Sequence, residues 1–305
     1  MLQQTGVKTV IPYYIKFLKK WPSLNSFFKA ELDEILFLWQ GLGYYQRAKN
    51  LYNAKEYLKK NSISINSESL KNIPGIGDYI SSSISAILCN EACPVIDSNV
   101  KRVLSRVFDL NNKAKAHLKD LKCIAKKLTP KLNNGDYCQS LMDLASLVCK
   151  TTNPLCSSCP VYSLCLNKNK KFSRKRIKIS KKKKIGVIFF INFKKLFLVE
   201  HSKRRLLEGL YTFPVTEFVQ YNSNRNNEIF KKLANKWLKQ KKLGDTFQLH
   251  SLVEHEFSHF QLKLLIVNIK LKNKTKIDDY IWMSNNEFNK LPVSKLMFKV
   301  KEKIL

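Results

Sequence analysis

Apolar side chains recur at helical spacing through the first half of the chain. Positions three and four apart lie on one face of an α-helix, so this spacing indicates helices with one buried face. It occurs in 32–39 and most clearly in 100–107. Sequences rich in asparagine, proline and glycine separate the segments, at 72–75 and 133–136. The pattern predicts that residues 1 to about 148 form helices joined by short turns.

Short runs of β-branched and aromatic residues replace this pattern after residue 184. The runs 185–193, 196–199 and 260–271 have the composition and the imperfect alternation of strands. One helix is expected at about 227–240. These elements predict a separate α+β domain over 185–305.

The charge balance points to a polyanionic partner. Lysine and arginine number 55 and aspartate and glutamate 23, which gives a net charge of +32. Neutralising phosphates releases counterions and so favours binding to nucleic acid. Codon bias in an AT-rich genome would also enrich lysine, so the charge alone leaves both explanations open. Residues 168–184 contain eleven basic residues and no acid, which predicts a linker, either a tether near DNA or a merely soluble hinge.

Neither membrane insertion nor export is indicated. The chain has no apolar run of about eighteen residues, and its first residues lack the basic and apolar regions of a signal peptide. Eight cysteines in such a chain favour metal binding over disulfides. We therefore expect a cytoplasmic, monomeric protein without membrane association.

Four cysteines are close enough in sequence to surround one metal centre. Cys149, Cys156, Cys159 and Cys165 have the spacing C-x6-C-x2-C-x5-C. A zinc ion and an iron–sulfur cluster both accept four thiolates, so the spacing does not choose between them. The other cysteines have apolar helical neighbours and are expected in the core: they are Cys89, Cys93, Cys123 and Cys138.

Two further segments combine a local structural role with candidate chemistry. Gly75 and Gly77 allow positive φ and close backbone approach, so the helix that follows them can offer N–H groups to a phosphate. An ordinary turn between helices is the alternative. Asp97 is a good N-cap for the helix at 100–107. That structural role is the default interpretation of an isolated aspartate.

The segment 255–259 matches the H-E-x-x-H pattern of zinc proteases. That chemistry needs a helix, which places the two histidines one turn apart. The flanking alternation predicts a strand or a loop, in which residues four apart lie roughly 13 Å from each other, too far for one metal ion. We therefore reject the protease interpretation.

The chain resembles the adenine DNA glycosylase family of the helix-hairpin-helix DNA glycosylases in three features. These are the hairpin at Gly75 and Gly77, the Asp97 segment and the cysteine spacing. The segments 1–5, 41–48 and 201–214 resemble the same family. The resemblance implies a mostly α-helical helix-hairpin-helix domain over 1–167, with the motif at about 69–90, and a [4Fe–4S] cluster bound by the four cysteines of the loop 149–165. The basic linker and a smaller, Nudix-like α+β domain follow.

The resemblance also assigns residues to catalysis. It implies that Asp97 stabilises the sugar cation, with Asn99 as its hydrogen-bonding neighbour. Endonuclease III-like enzymes have a nucleophilic lysine at the position of Tyr79 and form a Schiff base. A tyrosine cannot do this, so we expect a monofunctional glycosylase in which Tyr79 helps to shape the pocket.

The DNA contacts implied by the family come from both halves of the chain. The expected partner is double-stranded DNA with adenine opposite 8-oxoguanine or guanine. Tyr44 would wedge into the base stack and Gln4 would fill the space of the flipped base. The remaining candidates for phosphate contact are Gly75, Gly77, Lys101 and Lys150. The loop that inspects 8-oxoguanine in the family resembles Phe257, Ser258 and His259. The chain has no recognisable Nudix box, so we do not expect pyrophosphate hydrolysis.

One expected group is not in the sequence. In the family, a glutamate two positions before the methionine of the Met-Leu-Gln-Gln-Thr segment protonates the adenine. That segment begins at Met1, so the 305-residue sequence does not contain the glutamate. We therefore expect little or no glycosylase activity from it. Two explanations remain open: the true start of the protein lies upstream, or the gene is eroded. An endonuclease III-like lyase and a lesion-binding protein without chemistry remain the competing hypotheses.

Overall fold

The computed structural model describes residues 1–110, 114–170, 172, 181–204, 206–221, 226–243 and 247–304. The chain forms two compact units. Residues 53–178 form the first, which we call the helical unit. Residues 1–52 and 179–305 form the second, the sheet unit. Most of the predicted linker 168–184, at 171 and 173–180, lies outside the described residues.

The helical unit consists of helices joined by short turns. Its α-helices are the end of α4 (Gln46–Lys60), α5 (Asp78–Cys89), α6 (Ser98–Val107), α7 (Ala114–Leu128) and α8 (Asn134–Asp143). It also contains 3₁₀ turns at Ser69–Asn72 and Cys156–Ser158 and a π-helical turn at Leu144–Val148. On α6 the apolar stripe predicted from the sequence is confirmed, because Val100, Val103 and Leu104 are buried.

Glycine allows the close approach of α5 and α8. A Cβ atom at Gly135 would lie 3.1 Å from the carbonyl oxygen of Ala86 and 3.2 Å from the Cα of Ile87. Both distances are shorter than ordinary van der Waals contact between such atoms. The glycine of the predicted turn at 133–136 therefore sets the packing distance between the two helices.

We predicted that the four remaining cysteines lie in the core, and this was wrong for two of them. Cys93 and Cys138 are buried, and they lie in one small core with Ala86 and Val95. Cys89 and Cys123 are exposed. The buried face of α5 is formed by residues 81, 85 and 86, and Cys89, as the last residue of the helix, lies outside it.

The sheet unit combines a helical segment with a mixed β-sheet. Its elements are α1 (Val7–Lys20), α2 (Leu24–Phe28), α3 (Leu32–Leu38), the start of α4, β1 (Lys182–Phe193), β2 (Leu196–His201), β3 (Tyr211–Thr212), β4 (Val219–Gln220), α9 (Asn226–Gln240), β5 (Gln248–Glu256), β6 (Phe260–Lys270), β7 (Tyr280–Ser284), α10 (Asn285–Phe288) and α11 (Lys295–Ile304). The strand order is β3-β2-β1-β6-β5, with β4 also paired to β1 and β7 to β2. β1 and β6 are parallel, from Lys182 opposite Phe260 to Asn192 opposite Lys270.

The central strand β1 is buried on both faces, which explains its nearly continuous apolar sequence. Phe189 and its neighbours of the same parity pack against α9, where Phe189 stacks on Trp237 with ring centroids 4.1 Å apart. Residues of the other parity pack with Phe213 and with Met297 of α11. The predicted strands and the predicted helix at about 227–240 are confirmed by β1, β2, β6 and α9.

Among the described residues, none of the helices is long and apolar enough to cross a membrane.

Candidate active site, cluster loop and recognition hairpin

The hairpin before α5 presents the start of that helix. The arm that precedes it is a 3₁₀ turn rather than an α-helix. Gly75 has φ +83°, a left-handed conformation that favours glycine. Gly77 does not have the positive φ that the sequence suggested. Its backbone is extended, with φ −100° and ψ −178°, and it is the N-cap of α5. An ion pair of 2.9 Å between Lys71 and Asp78 joins the two arms.

Asp97 is the N-cap of α6, and its carboxylate is held by three N–H donors. Oδ1 accepts from the backbone nitrogens of Asn99 and Val100, both at 2.8 Å. Oδ2 accepts from the side-chain amide of Asn99 at 2.9 Å. The helix start that makes Asp97 a cap therefore also fixes the direction of its carboxylate.

Tyr79 lies on α5 within electrostatic reach of this carboxylate. Burial raises the pKa of the Tyr79 phenol, and the negative charge of Asp97 raises it further. Both effects keep the phenol neutral at physiological pH. Tyr79 therefore experiences the charge of Asp97, another residue of the predicted active site.

The side chain of Arg102 connects this carboxylate to the cluster loop, the segment 149–165 that contains the four cysteines. Nη1 donates to the side-chain oxygen of Asn99 at 3.1 Å. Nε donates to the carbonyl of Cys149 at 3.0 Å and Nη2 to the carbonyl of Ala145 at 2.8 Å. A continuous hydrogen-bonded path therefore runs from Asp97 to the backbone of the first cysteine.

Four free thiols line one pocket with apolar walls. They belong to Cys149, Cys156, Cys159 and Cys165. None of the described His, Cys, Asp and Glu side chains converge in threes on a single metal position. The four soft thiol donors around one pocket fit the ligand set of a [4Fe–4S] cluster, in which each cysteine binds a separate iron atom.

Arg106 holds both ends of the cluster loop. Its Nη1 lies 3.4 Å from the Cys149 sulfur and donates to the carbonyl of Lys150 at 2.7 Å. Its own carbonyl accepts from the Asn167 amide at 2.9 Å, two residues after Cys165. The guanidinium lies 3.7 Å above the ring of Phe172. Lys150 and Lys101 are themselves exposed.

In the sheet unit, Gln4 and Tyr44 occupy two exposed turns. Both have left-handed backbones, with φ 55° and 49°. Tyr44 is 50% exposed. Arg47 contacts both turns.

The hairpin between β5 and β6 presents the candidate recognition residues. The nitrogen of Phe257 donates to the carbonyl of Phe260 at 2.9 Å, which closes the turn, and the two rings stack at 4.7 Å. Ser258 and His259 are exposed at its tip, with Oγ and Nδ1 3.2 Å apart. His255 lies in β5 rather than in a helix, so the protease interpretation is wrong on geometry.

Sequence reasoning missed three basic residues that hold these sites: Arg102, Arg106 and Lys181. Arg102 follows Asn99 by three residues and Arg106 follows Arg102 by four, so the helical spacing could have placed them on one face of α6. Lys181 donates to Glu256 at 2.6 Å and to the carbonyl of Phe257 at 3.1 Å. Its position depends on the parallel register of β1 and β6, which local sequence does not reveal.

Two family descriptions match the chain. Residues 1–131 match the HhH-GPD superfamily base excision DNA repair proteins. Residues 186–303 match the NUDIX domain. The two matches fall on either side of the predicted linker.

Several curated proteins are similar to the chain. The adenine DNA glycosylase of Buchnera aphidicola subsp. Acyrthosiphon pisum (strain APS) is 33% identical over 282 residues, 89% of this chain and 77% of that protein. The enzyme of the same name from Buchnera aphidicola subsp. Baizongia pistaciae (strain Bp) is 33% identical over 322 residues, 99% of this chain and 88% of that protein. The adenine DNA glycosylase of Homo sapiens is 39% identical over 171 residues, 54% of this chain and 31% of that protein.

Proposed function

Because the chain belongs to the adenine DNA glycosylase family and is therefore a DNA N-glycosylase, we propose that it hydrolyses the N-glycosidic bond of adenine paired with 8-oxoguanine or guanine. The observation that carries this proposal is the carboxylate of Asp97, fixed by three N–H donors within reach of Tyr79.

Asp97 has the geometry of a group that stabilises a sugar cation. Departure of the base leaves positive charge at C1′, and a fixed carboxylate lowers the energy of that state. Oδ1 accepts two hydrogen bonds, whereas Oδ2 accepts one within the described residues and keeps a lone-pair position for the sugar. Asn99 then acts as a positioning residue for Oδ2.

Tyr79 supports a monofunctional reaction. A lyase of the endonuclease III kind needs an amine that forms a Schiff base with the sugar. Tyr79 has a phenol in place of an amine and so cannot form one. Burial and the charge of Asp97 raise the pKa of this phenol further above neutral pH. Water, rather than a protein amine, is thus the group that attacks C1′.

The cysteine pocket is proposed to hold a [4Fe–4S] cluster. The ligands would be the four cysteines that line it, and the bound cluster would fix the loop 149–165. Lys150, exposed in this loop, and Lys101, in the first turn of α6, are proposed phosphate contacts. The start of α5 behind Gly75 and Gly77 is proposed to bind a third phosphate through its N–H groups.

The sheet unit is proposed to read the mispair. Ser258 and His259 would contact 8-oxoguanine from the tip of the β5–β6 hairpin, with Phe257 packed beneath them on Phe260. Gln4 and Tyr44 would enter the base stack at the flipped adenine.

A binding titration tests the substrate, and it does not depend on catalysis. We expect tighter binding to a duplex with 8-oxoguanine opposite 2′-fluoro-2′-deoxyadenosine, which resists cleavage, than to a fully paired duplex. Equal affinity for the two duplexes would contradict the proposal.

Adenine release tests the chemistry. Any release should fall by at least about 10²-fold in Asp97→Asn, a substitution that keeps the N-cap of α6 because asparagine caps as well as aspartate. Selective binding without release in the unaltered chain would favour the lesion-binding alternative. A product trapped by borohydride would favour the lyase.

A further inference from the structure

Arg47 joins the two turns that carry Gln4 and Tyr44. Its Nη1 donates to the carbonyls of Met1 and Gln3, in the turn before α1. Its Nη2 donates to the carbonyl of Gly43 at 3.1 Å, in the turn before α4. One guanidinium thus bridges backbone segments more than forty residues apart, and both segments lie in the sheet unit.

The ring of Tyr44 is part of the same arrangement. The guanidinium carbon of Arg47 lies 5.4 Å from the centroid of Tyr44 and 5.6 Å from that of Trp39. Trp39 is buried and donates from its indole nitrogen to the carbonyl of Gly43 at 3.2 Å. Arg47 therefore holds the exposed ring of Tyr44 to a fixed part of the core.

Both turns need such support. Gln4 and Tyr44 have φ of 55° and 49°, a region in which residues other than glycine are strained and persist only where their surroundings hold them. Burial lowers the pKa of Arg47, and its contacts among the described residues are carbonyls and aromatic rings rather than carboxylates. A planar fork of donors suits three carbonyls in two directions, which a single ammonium group does not.

We infer that Arg47 is a positioning residue that fixes Gln4 and Tyr44 in place before DNA arrives. The inference rests on the proposed function, in which these two side chains enter the duplex. Ordering both turns in the free protein removes an entropy cost from the insertion step. Arg47 would thereby strengthen base flipping without touching the DNA.

The free protein tests the positioning role directly. In Arg47→Lys, hydrogen exchange of the backbone amides in 2–5 and 41–45 should accelerate together, because both turns lose the same guanidinium partner. The control is Arg204→Lys, the same substitution at an arginine that donates to the carbonyls of Val215 and Thr216 in this unit. It should leave both turns unchanged. Unchanged exchange in Arg47→Lys would overturn the inference.

A second measurement follows the DNA. The duplex carries 2-aminopurine opposite 8-oxoguanine, and the fluorescence of 2-aminopurine rises when it leaves the stack. Arg47→Lys should reduce both the rise and the affinity, the latter by about tenfold, the size of one lost charge-assisted hydrogen bond. In a Tyr44→Ala, Gln4→Ala background the same substitution should have less than half of that effect, because its targets are gone.

The outcomes separate the two claims. An equal loss with and without Tyr44 and Gln4 would mean that Arg47 contacts DNA itself, and would overturn the inference. Another outcome is that Tyr44→Ala and Gln4→Ala leave the fluorescence unchanged while Arg47→Lys accelerates exchange. That result would support the positioning role of Arg47 and contradict the proposed insertion of Tyr44 and Gln4 into the duplex.

Discussion

Arg102 donates a hydrogen bond to the side-chain oxygen of Asn99 across 3.1 Å, and so links the carboxylate of Asp97 to the cysteine loop. Asn99 can orient its amide toward Asp97 because its oxygen is occupied by the guanidinium. Arg102 is half-buried, and this burial lowers its pKa. Its hydrogen bonds therefore contribute more than they would at the surface.

Replacing Arg102 should impair the site of Asp97 before it impairs DNA binding in general. A duplex with a cationic azasugar in place of the target nucleotide mimics the charged transition state. We expect Arg102→Gln to bind this duplex about tenfold more weakly, with a smaller loss for an ordinary mispair. Lys101→Gln removes the same charge from the exposed face of α6 and should weaken both duplexes equally. Parallel losses in the two variants would contradict the path through Asn99.

The metal content of the cysteine pocket can be measured directly. Cys159→Ser removes one of the four thiols, and we expect it to lose most of the iron and the visible absorbance of a cluster, because each cysteine holds a separate iron. Cys89→Ser, at an exposed cysteine of α5 outside the pocket, should keep both. One zinc per chain in the unaltered protein, and no iron, would show that the pocket holds the alternative metal that the cysteine spacing left open.

Much of this organisation was predictable from local patterns. The apolar stripe of α6 and the two domain classes followed from periodicity, and the family followed from the resemblance of its motifs. The matches at 1–131 and 186–303 and the similar curated proteins confirm the classes and the family. The boundaries of the two domains, the cluster ligands and the roles of the other site residues stay predictions.

The parts that failed or were missed depend on tertiary contacts. Cys89 continues the four-residue spacing of the buried Ser81 and Ser85, yet it is exposed at the last position of α5. Its exposure therefore depends on what packs at the end of the helix, which the apolar content of the segment does not decide. Lys181 precedes β1, yet it holds a hairpin more than seventy residues later, because β1 and β6 are parallel neighbours. Arg47 is similar, since its carbonyl partners are set by two turns that are distant in sequence.

A buried carboxylate should make the sheet unit sensitive to pH. Glu200 accepts from the hydroxyl of Thr212 at 3.1 Å, and its side chain is 12% exposed. Burial raises the pKa of Glu200 although Arg204 and Thr212 oppose the shift. A raised folded-state pKa means that the stability from this group is full below the ordinary glutamate pKa and is lost as pH rises through the folded value.

Glu200→Gln should therefore raise Tm relative to the unaltered chain at pH 7, and the difference should shrink toward pH 4. The neutral amide keeps the shape of the carboxyl group but has no buried charge to desolvate at high pH. Differential scanning calorimetry across this range measures the effect. Glu228→Gln, at an exposed position of α9, is the matched control and should leave the pH dependence unchanged. A lower Tm for Glu200→Gln at pH 7 would mean that its contact with Arg204 outweighs its burial.

Lys181 should set how well the recognition hairpin distinguishes 8-oxoguanine from guanine. Its amine bridges the Glu256 carboxylate and the Phe257 carbonyl, and Lys184 lies 4.9 Å from the centroid of Phe260, so the strand that enters the sheet supports the hairpin from one side. Ser258 and His259 have exposed positions at its tip, so we expect this support to limit their motion.

We expect Lys181→Ala to lower the ratio of affinities for 8-oxoguanine and guanine mispairs by about threefold, because a partly exposed ion pair contributes modestly. Glu256→Gln should lower the ratio similarly, although it removes a negative charge and so strengthens overall binding to DNA. The double variant should lose little more than either single variant, since both act on one contact. Lys183→Ala, which removes the same charge from an exposed position of β1, should weaken both mispairs equally and leave the ratio unchanged. If Lys181→Ala behaves like Lys183→Ala and Glu256→Gln leaves the ratio unchanged, then Lys181 contributes only its charge, and the shape of the hairpin must come from the stacked rings of Phe257 and Phe260.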